Sequence, residues 1–521
     1  MPETVAQPAG AHDVRRQRVR TLWAAVVVQS VLSAIHLSLL PMWGDERFTV
    51  SIVTGSPAQI IAAVRNDIHP PLYFLLAHWW SKLPLGSDPL VRLRLLSVVF
   101  AVLTTMFIER RWLRSASEEV RAWFLMLWVF SPCLLLYSRM ARSYSMQVFL
   151  SAAAIWFAVE FAEDPRPKRL WAFTVSLTAL LYTHYLPGIA VLAGANVLLV
   201  WRMRQSGRSF WKTWLLPNAL VAVAYLPWLI TLGGALHNWG RMSVYALTGN
   251  VWTEQALKLG YWWYSFAFGE AIPIWLLPLT VLLALPYAWL VYSGARLRWS
   301  WVAPAAAAAG VAYLGATRWV TYPFMGARLL FLLPVFVLAA AAGISSKPRS
   351  GMVLGVLLFL ANLAGVSGYF GARDILNIGY LAPHREIASE IVHRSAPENT
   401  VVWIDGLNLD GSVLQYYLPR TFEVHVLTTP ESVAAALAEL RKTNIQHVWF
   451  LRNPHDLSAG QALTKLEQDM RTNWYNRTLH PYVPFSPTHL AILRALAMLH
   501  HEEWRGSPRY MYEAWEFRRP R

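Results

Sequence analysis

The chain has 521 residues, 55% of them hydrophobic and only 15% charged, with 27 tryptophans and a formal net charge of +16. Soluble domains carry about 25% charged residues, so this composition excludes an ordinary soluble enzyme. It points to a polytopic membrane protein with length left for a soluble domain. The single cysteine, Cys133, lies in an apolar run, which excludes an intrachain disulfide framework.

The start, RRQRVRTLWAAVVVQSVLSAIHLSLLPMW, joins a basic stretch to a long apolar one with no small-x-small cleavage site after it. It reads as an uncleaved first membrane helix and not as a removed signal peptide. A helix crosses the hydrocarbon core with about 20 apolar residues. On that basis eleven spans are expected, over 21–42, 93–108, 122–138, 143–160, 170–184, 186–200, 213–233, 272–293, 301–316, 328–344 and 351–370. The stretch HPPLYFLLAHWWSKL (69–83) is apolar, but it is short and opens with two prolines. It is expected to form an interfacial or re-entrant helix in the first outer loop. With a cytoplasmic N-terminus, this layout puts ERRWLR, RPKR and WRMR on the inside, as the bias of basic residues requires. Making 69–83 a full span would send all three outside.

Residues 371–521 carry equal numbers of basic and acidic side chains, so the whole excess charge belongs to the membrane part. That charge suits inner loops facing anionic lipid and arginines facing phosphate, and no nucleic-acid partner is expected. In the tail, TVVWID (400–405), FEVHVL (422–427) and HVWFLR (447–452) read as strands. The segments PESVAAALAELRKT and AGQALTKLEQDM read as helices between them. The expected organisation is a cytoplasmic tail (1–20), a helical transmembrane domain (21–370) and an α/β domain (371–521). Odd span parity puts the last outside the cytoplasmic membrane.

Within the spans, before the outer edge of the tenth, the only charged side chains are Arg94 and Glu160, both near span ends. Ion-moving transporters keep ionisable groups near the midplane. Here the polar groups gather at the outer ends instead. Asp45 and Glu46 open the first outer loop, and His69 opens the short helix. Arg139, Arg142 and Tyr144 follow the third span, and Arg318 and Arg328 flank the ninth and tenth. The set suits chemistry on a lipid phosphate. A carboxylate can take a proton from an acceptor hydroxyl or hold a divalent metal ion, the one cofactor these residues suggest. Arginine forks match a phosphate and stay charged beside lipid. Each feature also has an ordinary reading. An acid outside a span is commonly a solvated helix end, a loop arginine binds headgroups, and tyrosines and tryptophans form the interfacial belt.

Four stretches, DERFT, HPPLYFLL, RLLS (94–97) and SPCLLLYSRMARSYSM, occur in the order found in bacterial GT-C membrane glycosyltransferases. Over residues 20–370 the chain resembles that superfamily. Within it, the resemblance is to the family-39, ArnT-like group akin to dolichyl-phosphate-mannose–protein mannosyltransferases. GARLLFLLP resembles the family's later arginine segment, with Leu329 where a tyrosine is usual, and Arg139 and Met140 stand where relatives often have Gln-Glu. The resemblance implies a cell-envelope enzyme that takes a sugar from a polyprenyl-phosphate donor and passes it, with inversion, to a glycan, lipid or protein hydroxyl. It makes Asp45 the catalytic carboxylate with Glu46 in support, gives Arg139, Arg142 and Arg328 to the donor phosphate, and leaves His69, Tyr144 and Arg94 as supporting residues. Two neighbouring carboxylates among arginines could keep one ionised. The rival readings are a non-catalytic carrier or flippase for a polyprenyl-linked glycan, and an envelope scaffold.

Overall fold

The computed structural model describes residues 10–67, 69–242, 251–297, 299–318, 326–405, 411–427, 429–442, 445–452, 468, 470, 476–483, 485–499 and 512–519. They divide into two compact units. The first comprises Met1–Leu37, Thr49–Ile272 and Leu276–Ser367, and the second Ser38–Phe48, Pro273–Trp275 and Gly368–Arg521.

The first unit is helical. Helix α1 (Gly10–Ala34) is followed by α2 (Gly44–Ile52), α3 (Pro57–Asn66) and α4 (Leu72–Ser81). The last is the short helix expected at 69–83, and at ten residues it is too short to span. Helix α5 (Pro89–Arg111) starts with Pro89 in its first turn and Asp88 as its cap, the carboxylate accepting the Leu90 N–H at 2.8 Å. Arg110 and Arg111 close it, where the helix dipole favours cations. Helices α6 (Glu118–Val129) and α7 (Pro132–Ser138) are one apolar run bent by 51° at Pro132. Then come α8 (Tyr144–Glu163), α9 (Pro167–Leu181), α10 (Tyr185–Ser206), α11 (Leu216–Met242) and α12 (Val251–Phe268). Helices α13 (Leu277–Arg296), α14 (Trp299–Arg318), α15 (Leu333–Ser345) and α16 (Ser350–Gly371) complete the set.

Each of the eleven expected spans is helical in its main part. Among the described residues seven helical segments are long and apolar enough to cross a membrane, and eight if the bent α6–α7 pair is one span. The other three are α1, α9 and α14: α1 carries basic residues at its start, α9 has only 15 residues, and the apolar part of α14 is short. Two boundaries differ from expectation. Helix α1 stops at Ala34, and α12 occupies the stretch expected as an outer loop.

Polar locks hold the helices. Glu109 of α5 and Arg121 of α6 form a buried ion pair. Asn196 of α10 and Asn218 of α11 exchange amide hydrogen bonds at 3.1 and 2.8 Å. Helices α13 and α15 instead meet backbone to backbone. A Cβ at Gly294 would collide with the Ala339 carbonyl and lie 2.7 Å from the Gly343 nitrogen, and one at Gly343 would collide with the Leu290 carbonyl. Small residues allow such close crossings in membranes.

The second unit has a five-stranded sheet in the order β2-β1-β3-β5-β4. Strands β1 (Thr400–Asp405), β2 (Glu423–Leu427) and β3 (His447–Arg452) fall where the sequence placed them and pair in parallel. Strands β4 (Asn476–Tyr482) and β5 (Tyr512–Arg518) add an antiparallel edge that the sequence reading missed. Helix α17 (His384–Arg394) packs Ile387 and Ile391 on Val402, Ile404, Trp449 and Leu451. On the other face α19 (Pro430–Lys442), which follows α18 (Gly411–Tyr417), packs Val433, Ala436 and Leu440 on Val401, Trp403 and Phe450. With both faces covered, the parallel strands read as continuous apolar runs. The helix expected over AGQALTKLEQDM lies almost wholly outside the described residues.

Replacing Gly294 with Ala is expected to push α13 and α15 apart and cost about 1–3 kcal/mol, the usual penalty of overpacking. Gly310→Ala in α14, where a Cβ meets nothing within 4 Å, is the control. Thermal unfolding of the detergent-solubilised chain distinguishes them: the first should lower the midpoint and the second should not.

Candidate active site

Helix α1 ends in a buried polar joint. The last carbonyls of a helix have no partner within it. Here the fully buried Arg139 supplies one: its Nη1 donates to the Leu32 and Ser33 carbonyls at 2.7 and 3.1 Å, and its Nη2 to that of His36 at 2.6 Å. Arg94 of α5 donates from Nη1 to the Leu37 carbonyl at 2.6 Å. His36 sits at φ +49°, a region open to few residues other than glycine, and so turns the chain out of the helix.

Beyond that turn lies α2. Asp45 and Glu46 occupy its first turn, where the helix dipole favours acids; Glu46 is buried and Asp45 half-buried. Within the second unit the lead-in is held by the Met42 N–H on the Tyr417 hydroxyl at 2.8 Å and Arg47 Nε on the Ser412 carbonyl at 2.9 Å. Thr49 follows Asp45 by four residues, on the same side of the helix.

Arg142 is the hub of the first unit's polar end. It is buried, with Nη1 3.5 Å from Thr49 Oγ1, Nη2 3.2 Å from His69 Nε2, and its guanidinium 5.8 Å from the Phe74 ring centre. His69 Nδ1 lies 2.9 Å from the Asp67 carboxylate. An Nδ1–H directed at that acid leaves Nε2 as the acceptor for Arg142. The loop carrying Arg139 and Arg142 is itself fixed by Ser97, which donates to the Met140 carbonyl at 2.6 Å and lies 3.2 Å from that of Arg142. Tyr144 begins α8 beside Tyr137, ring centres 5.5 Å apart.

Two more groups reach this end. The Leu72 N–H at the start of α4 donates to the Tyr182 carbonyl at 2.9 Å, joining α4 to the end of α9. Just after, His184 caps α10, its Nδ1 accepting the Leu186 N–H at 3.2 Å, within electrostatic reach of His69, Arg142 and Arg328. Arg328 stands on a 3-10 turn, Gly326–Leu332, ahead of α15.

The structure therefore gathers Arg142, Arg328, His69, His184 and Thr49. Arg139 and Arg94 are directed at the end of α1. The side chain of Arg318 lies outside the described residues. His184 was given no role in the sequence. Asp88 is the cap of α5. Among the described residues no three His, Cys, Asp or Glu side chains converge.

No family model and no curated protein sequence matches the chain. Solved structures do. ArnT from Cupriavidus metallidurans in the apo state matches with a TM-score of 0.53 at 12% identity, covering 87% of this chain and 95% of that one. The same protein bound to undecaprenyl phosphate gives 0.51 at 14% identity, covering 95% and 97%. An Archaeoglobus fulgidus oligosaccharyltransferase gives 0.47 at 13% identity, covering 82% and 67%. At such identities the likeness is one of fold: the chain is an integral membrane protein with the fold of the GT-C glycosyltransferases.

Proposed function

We propose that the chain is a membrane glycosyltransferase that moves a monosaccharide from a polyprenyl-phosphate donor to a hydroxyl acceptor on the outer face of the cytoplasmic membrane. The observation that carries this reading is the convergence of Arg142, Arg328, His69 and His184 at one end of a GT-C fold. The ArnT structure with undecaprenyl phosphate supports the class of donor.

In this mechanism Arg142 and Arg328 hold the donor phosphate, and His69, oriented by Asp67, holds Arg142. Arg139 and Arg94 fix the end of α1. The acceptor oxygen attacks the anomeric carbon opposite the phosphate, forming a new glycosidic bond as the bond to phosphate oxygen breaks. Asp45 takes the hydroxyl proton, with Glu46 in support. The leaving polyprenyl phosphate keeps the electron pair, and its charge is met by planar, weakly hydrated guanidinium groups. The sugar and the acceptor are specified by residues the mechanism does not name.

Asp45→Asn keeps size and removes basicity, so single-turnover transfer should fall by roughly 10²–10⁴ while donor binding persists. Glu46→Gln should cost less. An Asp45→Asn protein that transfers at the wild-type rate would favour the carrier reading.

Gln in place of Arg142 or Arg328 should weaken donor binding by about 1.5–3 kcal/mol, the scale of a charged hydrogen bond. Lysine should restore only part of it, lacking the fork. Unchanged donor affinity in both Gln variants would put the phosphate elsewhere.

The orientation is testable in intact cells. A cysteine at the exposed Ser412 should react with an impermeant thiol reagent, because the basic inner loops put residues 371–521 outside. Labelling only after lysis would reverse the orientation.

A further inference from the structure

Glu270 is an acid the mechanism leaves unused, and it is completely buried. It follows α12 in the first unit. Its Oε1 accepts from the Tyr137 hydroxyl and from Ser265 Oγ, the latter at 3.1 Å, and the carboxyl also takes the Tyr261 hydroxyl and the backbone N–H of Gly326. Burial raises the pKa of the carboxyl, against the lowering by these donors.

The four donors come from three separate parts of the chain. Tyr137 lies in α7, directly ahead of the loop with Arg139 and Arg142. Ser265 lies in the last turns of α12. Gly326 opens the 3-10 turn that carries Arg328 two residues on. Glycine at 326 leaves room for this joint: a Cβ there would crowd Ser265 Oγ and lie 3.1 Å from Glu270 Oε1. One carboxyl group thus joins the roots of the Arg142 and Arg328 segments.

We propose that Glu270 is a positioning residue that sets the spacing of Arg142 and Arg328 across the donor phosphate. The inference rests on the function proposed above. A bidentate phosphate clamp tolerates little error, since misplacement by about 1 Å can cost on the order of 10²-fold in rate. The group works as a hydrogen-bond acceptor and not as a charge. Glutamine, whose carbonyl oxygen can take the same donors, should replace it.

The test is a double-mutant cycle on the full chain in detergent, with undecaprenyl phosphate as the probe. Glu270→Ala should weaken binding by roughly tenfold, a coupling typical of residues in one network. In an Arg328→Gln background the same change should have little further effect, because the group it positions is gone. Glu270→Gln should bind like the wild type. Additive losses in the cycle, or a Gln variant as weak as Ala, overturn the proposal. Should Glu270→Ala fail to fold, Tyr137→Phe removes one donor without volume and runs through the same cycle.

A second readout does not depend on the phosphate. Cys133 is fully buried beside Ser265, its sulfur 3.7 Å from Oγ. Loosening the joint should expose it to N-ethylmaleimide in Glu270→Ala, with protection kept in Glu270→Gln. Wild-type protein that does not bind undecaprenyl phosphate would refute the proposed function, and the labelling then decides the joint alone. Protection in Glu270→Ala equal to that of the wild type refutes the joint.

Discussion

A single guanidinium, that of Arg139, ends the first helix. Three carbonyls at and beyond its last turn point into apolar surroundings, where unmet backbone groups cost several kcal/mol each. Arg139 meets all three, and Arg94 meets the next. The cost of burying a guanidinium is offset because its donors are satisfied and the negative end of the helix faces it. This joint marks where the chain leaves the helix at Ala34 and turns at His36.

The polar end of the first unit is then built by relays, each group fixed by another. Asp67 orients His69, His69 accepts from Arg142, and Arg142 reaches Thr49. Ser97 holds the loop from behind. Such networks are stiff because each member would lose its partner if it moved. That stiffness would serve the transferase proposed above, since preorganised donors need no rearrangement during reaction.

Much of this was legible in the sequence. Runs of apolar residues mark the spans because a helix across hydrocarbon needs length and apolarity and little else. The parallel strands were legible because burial on both faces leaves near-continuous apolar runs. The boundary of α1 was not, since SAIHLSLLPMW is apolar throughout and the helix stops because of a residue 105 positions away from Ala34. Strand β4 hid behind Pro481, which an edge strand tolerates and a pattern search penalises. Strand β5 hid behind Glu513 and Glu516. In the candidate site the residues with unusual chemistry stood out. The holding roles of Ser97, Asp67 and Glu270 were not legible, because a lone serine or acid carries no pattern that names its partner.

The backbone contact between Gly294 and Gly343 has a consequence for the other end of the membrane unit. Gly343 lies near the close of α15, and Arg328 lies on the turn before that helix begins. The two are separated by 15 positions, or about 22 Å at helical rise. Helix and turn form a lever whose fulcrum is the glycine crossing. A tilt of only about 3° at the fulcrum moves the far end by about 1 Å over that length. The two glycines thus set the tolerance to which Arg328, at the opposite end of the helix, is placed.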